Sequence, residues 1–221
     1  MKIYLVRHAQ STLNAGLVKH HDVPNFRLPI TELGVEQAQA AGKTIGKAVL
    51  SRALLYQSPY LRTRLTMHNM LLGAGFEGID IPKIYEDPQL REVDHGYADP
   101  ELQRPSRVRE GWFWYRFDGG ESAADCYDRC SMFISSLMRQ LQRKKGENGS
   151  TKDAVIVTHG MIIRCLVMRF MHLSVEQFDA TDTPNNCDII TIAPKHLITQ
   201  PQFVSGKWAV SGLKMREPTE G

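Results

Sequence analysis

Two short β-branched runs constrain this chain more than any other feature. Lys2–Val6, "KIYLV", and Asp153–Gly160, "DAVIVTHG", have the composition of buried strands, and a histidine stands at the end of each, His8 and His159. Between them the pattern changes period. Thr31–Leu50 carries Ala38, Ala41, Ile45 and Ala48 at spacings of three, four and three, which predicts a helix. Ala53–Gln57 reads as a strand. The stretch after it, "SPYLRTRLTMHNMLLGAG", reads as a helix with Ser58 as N-cap, Pro59 at its first position and Gly73 or Gly75 at its end. Ile81–Tyr85 is a further strand, and a long helix starts near Ser122, where "SAAD" has the spacing of a capping box. Ala123, Tyr127, Cys130, Ile134, Leu137 and Leu141 form one stripe along it. The polar segment Arg143–Lys152 is a connector, a helix over Met161–Met171 follows "VTHG", and strands are expected at Asp188–Ala193 and Gln202–Val210.

Strands alternating with helices predict an α/β fold, three layers in the order α/β/α around a mostly parallel central sheet. Such folds bind ligands beyond the carboxyl ends of their strands, so His8 and His159 are expected to share that edge. With 221 residues, 42% of them hydrophobic, the chain can bury one substantial core, and 1–221 is expected to form a single domain.

Composition narrows the function by exclusion. Twenty-seven Lys and Arg against 24 Asp and Glu leave a net charge of +3, too small an excess to indicate nucleic acid or an anionic membrane as partner. The N-terminal apolar run stops at Arg7, short of the roughly seven to fifteen residues of a signal-peptide core. No apolar run approaches the ~20 residues of a membrane span. Cys126, Cys130, Cys165 and Cys187 show no CxxC spacing and read as the buried thiols of a reducing cytosol. The expectation is a soluble cytoplasmic protein without nucleic-acid or membrane partners. Oligomeric state stays open, a homodimer among the options.

Arg7 and His8 end the first strand, Arg62 lies about one turn into the helix after the second, and His159 and Gly160 close the fourth. Two guanidinium groups, two imidazoles and a helix N-terminus make a positive, donor-rich pocket suited to a dianionic phosphoryl group. Each residue alone has an ordinary explanation, since single arginines are usually solvated and single histidines at strand ends usually structural. Their joint arrival at one edge is what points to a site. Arg64 faces another side of its helix and reads as surface, and His68 reads as packed near the apolar stripe. The pair His20 and His21 lacks a partner at metal-ligand spacing, and no metal site is expected.

These residues resemble the signature blocks of the histidine phosphatase superfamily, the phosphoglycerate-mutase-like proteins. "LVRHAQSTLN" is similar to its RHG block, and Ser58, Pro59, Arg62 and Thr66 match its S-P-x-x-R-x-x-x-T block. "LREVDHG" at Leu90–Gly96 looks like the acid-donor block, "GGES" at Gly119–Ser122 the pre-helix block, and "VTHG" brings the second histidine. The resemblance spans Lys2 to about Ala193, with Ala9 standing where glycine is usual. "WFWYRFDGGESAADCYDR" is similar to a subgroup of plant and fungal proteins regarded as broad-range phosphatases.

The resemblance implies a phosphoglycerate-mutase-like fold and a phosphohistidine formed by in-line attack of His8. Arg7, Arg62 and His159, with Gly160 beside it, would hold the equatorial oxygens, Asn14 would add a neutral donor, and no cofactor or divalent metal is implied. Glu92 would protonate the leaving group and then activate water, with Asp94 two residues on as its rival. Glu121 reads as a carboxylate favouring a helix start, with orientation of Arg7 or Arg62 as an alternative. Residues 97–119 would cap the site, Arg107, Arg109, Trp112 or Tyr115 shaping the choice of a small phosphorylated substrate. The expected activity is metal-independent hydrolysis of phosphomonoesters. Mutase-type phosphoryl transfer and phosphate binding without turnover are the alternatives.

Overall fold

The computed structural model describes residues 1–19, 22–97, 99–143 and 152–216. Its strands are β1 (Ile3–Arg7), β2 (Leu54–Gln57), β3 (Ile84–Glu86), β4 (Ala154–Thr158), β5 (Ile189–Pro194), β6 (Phe203–Ser205) and β7 (Trp208–Ser211). Its helices are α1 (Glu32–Ile45), α2 (Lys47–Leu50), α3 (Leu61–Gly73), α4 (Arg104–Glu110), α5 (Ala123–Arg143), α6 (Gly160–Met171) and α7 (Val175–Asp179). One sheet runs in the order β3-β2-β4-β1-β5-β7-β6. Its first four strands are parallel, and β5, β7 and β6 extend it with antiparallel pairing.

The pleat of the central strands explains the layers. Along β4, Ala154 and Ile156 enter the core beneath α5 and α6, while Val155 and Val157 enter the core beneath α1 and α3. A strand buried on both faces is a continuous β-branched run rather than an alternating one, which is how "AVIVT" reads. α1 and α3 come close enough that a Cβ on Gly42 would strike the carbonyl of Met70, and one on Gly73 the backbone of Gln39. The small residues in both helices therefore set their approach.

Several boundaries differ from expectation for identifiable reasons. The predicted helix over Thr31–Leu50 is two helices, broken at Gly46, whose φ of +83° leaves the helical region. Ser58 does not cap α3, which begins at Leu61 with Tyr60 at the N-cap; Ser58 is instead drawn to His159. His68 is exposed rather than packed. The expected strand over Gln202–Val210 is the hairpin β6–β7, turning at Gly206, φ +56°. The capping box forms as expected: Ser122 Oγ accepts from Asp125 N at 3.2 Å, and Asp125 Oδ2 accepts from Ser122 N at 2.7 Å. His20, His21 and most of the connector after Arg143 lie outside the described residues.

Candidate active site

β1 pairs with β4 in parallel through Arg7 and Thr158, so the residues that follow, His8 and His159, emerge side by side. Their rings lie 5.2 Å apart, edge to face. His8 Nδ1 is 2.8 Å from the carbonyl oxygen of Ala9. A carbonyl only accepts, so the proton sits on Nδ1 and the lone pair on Nε2. Burial, then the charges of Arg62 and Arg7, hold the His8 pKa well below the usual imidazole value. The backbone beneath is tied down: Ala9 N donates to Thr66 Oγ1 at 2.9 Å, and Thr66 Oγ1 donates to the carbonyl of Arg62 at 2.6 Å. Thr66 thereby fastens the loop after β1 to the first turn of α3. Ala9 is fully buried with ordinary negative φ, so its methyl is housed without strain.

Arg7 donates from Nη1 to the carbonyl of Pro184 at 2.6 Å and leaves its buried Nε without a partner. Arg62 donates from Nη1 to the carbonyl of Asn25 at 2.7 Å, and its guanidinium lies 4.9 Å from the Tyr60 ring centroid. Burial lowers both pKa values, that of Arg62 to about 10, which still leaves a full charge at neutral pH. Both arginines, His8, Asn14 and Glu92 line one cavity of about 330 Å³. Asn14 accepts through Oδ1 from Ser11 and Asn186, which directs its amide NH₂ elsewhere.

His159 is fully buried beside His8. Its Nε2 meets Ser58 Oγ at 2.8 Å and its buried Nδ1 has no partner. Burial first and Arg62 second keep it neutral, with a pKa well below the usual value. Gly160 packs closely here: a Cβ there would come within 2.5 Å of Thr183 Cγ2 and 3.7 Å of Arg7 Nε.

Glu92 lines the same cavity as the arginines, and burial raises its pKa against the pull of Arg62. One oxygen accepts from the backbone N–H of Val93 at 3.0 Å. Asp94, its rival in sequence, is exposed and accepts from Gly96 N at 2.9 Å. Glu121 contacts neither Arg7 nor Arg62. It lies before the capping residue Ser122 and pairs with Arg129, whose Nε and Nη2 donate to its two oxygens at 3.2 and 3.1 Å, while Arg91 Nη2 donates at 2.5 Å. The same Arg129 donates to the carbonyls of Gln89, Arg91 and Glu92 at 2.6, 2.8 and 3.3 Å. With Thr158 Oγ1 donating to the Leu90 carbonyl at 2.8 Å, the acid block is tied to both α5 and β4.

Sequence reasoning missed Arg129, Asn25 and the loop that carries Thr183, Pro184 and Asn186. Thr183 lines the cavity, Pro184 holds Arg7, and Asn186 Nδ2 donates to the His8 carbonyl at 2.9 Å. Within the cap segment, Arg107 reaches the cavity with Pro100 and Glu101, whereas Arg109, Trp112 and Tyr115 do not line it. Among the described residues no three His, Cys, Asp or Glu side chains are grouped to hold a metal ion, and no helix is long and apolar enough to cross a membrane.

A seven-stranded sheet with two strand-end histidines, the buried Arg62, the half-buried Arg7 and a carboxyl group in one cavity defines a phosphoryl-handling α/β class. The profile of the histidine phosphatase superfamily (branch 1) matches residues 3–200, and the chain belongs to that family. The phosphoglycerate mutase-like protein AT74 of Arabidopsis thaliana is 34% identical over 201 residues, 85% of this chain and 63% of that protein, so the chain spans less than two thirds of that relative. The broad-range acid phosphatase DET1 of Saccharomyces cerevisiae is 33% identical over 108 residues, 47% of this chain and 32% of its own length. A mycobacterial glucosyl-3-phosphoglycerate phosphatase has the same fold, with a TM-score of 0.73 and 21% identity across 97% of this chain and 99% of its own.

Proposed function

We propose that the chain is a phosphomonoesterase that works without a metal ion through a phosphohistidine on His8. The observation that carries this reading is the tautomer of His8: the Ala9 carbonyl accepts from Nδ1–H and leaves the Nε2 lone pair in a cavity shared with Arg7, Arg62 and Glu92, whose pKa burial raises. Nε2 attacks phosphorus as the bond to the leaving oxygen breaks, and Glu92 gives that oxygen its proton. Arg7 and Arg62 hold the charge on the equatorial oxygens, with the partner-free Nδ1 of His159 close to His8. Water then attacks the phosphohistidine, its proton goes to the Glu92 carboxylate, and His8 and phosphate are released. The printed name of DET1 as an acid phosphatase and the phosphatase among the fold relatives support hydrolysis. The four free thiols, three of them buried, support a reducing, cytoplasmic setting.

The test is to incubate the protein in chelator with 4-nitrophenyl phosphate and, separately, with 3-phosphoglycerate plus 2,3-bisphosphoglycerate, following free phosphate and isomer. Base quenching during turnover should trap an acid-labile phosphate on His8. Isomer without free phosphate would make the chain a mutase, and phosphate binding without any turnover would make it a binding protein. Activity restored only by added Mg²⁺ or Zn²⁺ would overturn the metal-free mechanism.

A further inference from the structure

The loop 184–188, which leads into β5, turns through a conformation that few side chains tolerate. Cys187 has a φ of 61°, and among the described residues His172 is the only other non-glycine with positive φ. An L-residue in that region has to be held there by its surroundings, and such residues gather where a site demands a particular backbone shape. Here the loop grips the end of β1. Cys187 N donates to the Arg7 carbonyl at 3.1 Å, Arg7 N donates to the Asp188 carbonyl at 3.3 Å, and the Pro184 carbonyl takes Arg7 Nη1–H.

Asn186 adds the contact that reaches the nucleophile. Its Nδ2 lies 2.9 Å from the His8 carbonyl oxygen and 3.2 Å from Asn14 Oδ1. A carbonyl only accepts, so the His8 oxygen obliges Asn186 to turn its NH₂ this way, and the second proton of that NH₂ falls to Asn14. Asn14 must then present its oxygen, which the Ser11 N–H also requires at 3.2 Å, and its own NH₂ is left for the cavity that it lines. The peptide between His8 and Ala9 is meanwhile held at both ends, its oxygen by Asn186 and its N–H by Thr66 Oγ1 at 2.9 Å. The next carbonyl along, that of Ala9, accepts from the His8 ring. A turn of the clamped peptide would carry that carbonyl away from the ring.

We propose that Asn186 is a positioning residue that serves the nucleophile and the neutral donor together. Its one NH₂ steadies the peptide on which the His8 tautomer depends, and it orients the Asn14 amide so that NH₂ rather than oxygen meets a phosphoryl group. This rests on the phosphatase reading above.

Two substitutions separate polarity from bulk: Asn186→Leu removes both donors, and Asn186→Asp sets two acceptors of nearly the same shape against two oxygens. In Asn186→Asp the Asn14 amide is drawn to turn over, giving its NH₂ to the new carboxylate and its oxygen to the cavity. With 4-nitrophenyl phosphate, Asn186→Leu should lower kcat by about 10-fold and Asn186→Asp by roughly 10- to 100-fold, the scale of a small misplacement of reacting groups. Inorganic phosphate should bind Asn186→Asp more weakly than Asn186→Leu. A carboxylate also repels phosphate by charge, so both variants are remade in Asn14→Ala, where the excess loss of Asn186→Asp should shrink at least threefold because no amide remains to turn. Equal phosphate affinity in the two single variants, or an excess that Asn14→Ala leaves undiminished, overturns the orienting role. The tautomer is read by NMR of the imidazole nitrogens. Wild-type His8 should show a protonated Nδ1 and a bare Nε2, and Asn186→Leu a mixture of both forms; an unmixed Nδ1–H form in Asn186→Leu with wild-type kcat overturns the steadying role. If Asn186→Leu does not fold, the smaller Asn186→Ala takes its place. Wild type that releases no phosphate would sink the phosphatase reading instead, and the NMR comparison would still test Asn186.

Discussion

Whether His8 can attack depends on one proton, and the Ala9 carbonyl settles where it sits. His8→Ala should abolish turnover and the trapped phosphoenzyme in a folded protein; more than a few per cent residual activity would place the nucleophile elsewhere. Arg62→Ala should cost roughly 10²- to 10³-fold in kcat, the usual effect of removing one preorganised charge, measured with an aryl phosphate; a loss under threefold would mean Arg62 does not hold the phosphoryl group. The pH profile follows from two opposed shifts. His8 must be neutral, and its lowered pKa puts the acid limb below the ordinary ~6.5; Glu92 must be protonated, and its raised pKa puts the alkaline limb above the ordinary ~4.3. Rate against pH in the phosphoenzyme-forming step should be a bell on the acidic side of neutrality, and Glu92→Gln should remove its alkaline limb. The same variant should slow transfer from an alkyl phosphate by about 10²- to 10⁴-fold and from 4-nitrophenyl phosphate far less, because a nitrophenolate hardly needs a proton. Equal losses would take the acid role from Glu92. His8 and His159 were legible because each follows a β-branched run, and Arg62 because it lies one turn into a helix with a readable start, whereas the burial of His159 at 0% exposure was not, since spacing along a strand does not reveal depth.

Between elements, the salient contact is the Glu121–Arg129 pair that binds the acid block to α5. Arg129 looks in sequence like one more charge on the polar side of a helix, and only the return of residues 89–92 over α5 gives its buried guanidinium three carbonyls to satisfy. The loop at Thr183–Asn186 was missed for a topological reason. In an all-parallel sheet the segment before a strand lies at the edge away from the site. β5 is antiparallel to β1, so its beginning lies where β1 ends and Pro184 reaches Arg7. The β-branched pattern of β5 carries no direction. α5 was readable from period and capping and α3 from its Ser-Pro start and glycine end, although Ser58 is not its cap, whereas α4 was not, because its seven residues, RPSRVRE, bury none of their side chains and carry no apolar stripe. Arg129→Met should destabilise the fold by about 3 to 5 kcal/mol, since it leaves three carbonyls unpaired and takes a guanidinium from the largely buried Glu121 carboxylate, which keeps Arg91 and the Asp94 N–H as partners. It should also lower kcat for alkyl phosphates more than for 4-nitrophenyl phosphate, because it loosens the Glu92 backbone while leaving the Glu92 carboxyl group in place. Denaturant titration measures the first effect and paired kinetics the second; a stability loss with identical kinetic losses for both substrates would confine Arg129 to a structural role.

For the whole molecule, the protonation states that the chemistry requires carry a cost that varies with pH. His8 and His159 are buried neutral, with folded pKa values below the unfolded ~6.5, so on acidification the unfolded chain takes up protons that the folded one refuses. Stability therefore falls below pH ~6.5, by up to about 1.4 kcal/mol per pH unit for each histidine, until the folded values are reached. Glu92 acts with the opposite sign. Its raised folded pKa means that the folded chain keeps a proton the unfolded one loses above ~4.3, a contribution present in acid and lost as pH rises through the folded value. Two histidines outweigh one carboxyl group, so the urea midpoint should rise between pH 5 and pH 7. Glu92→Gln, which removes the opposing titration, should make that rise steeper, and His159→Gln should make it shallower. A flat profile, or a shallower one in Glu92→Gln, would mean that these groups are solvated in the folded protein. Inorganic phosphate should raise the midpoint at pH 7 with a concentration dependence that Arg62→Ala weakens, since a ligand bound only by the folded state stabilises it by mass action. Burial around the cavity thus holds two histidines below and one carboxyl group above their ordinary pKa values, and a phosphate-dependent rise in the midpoint that Arg62→Ala leaves unchanged would place the bound anion elsewhere.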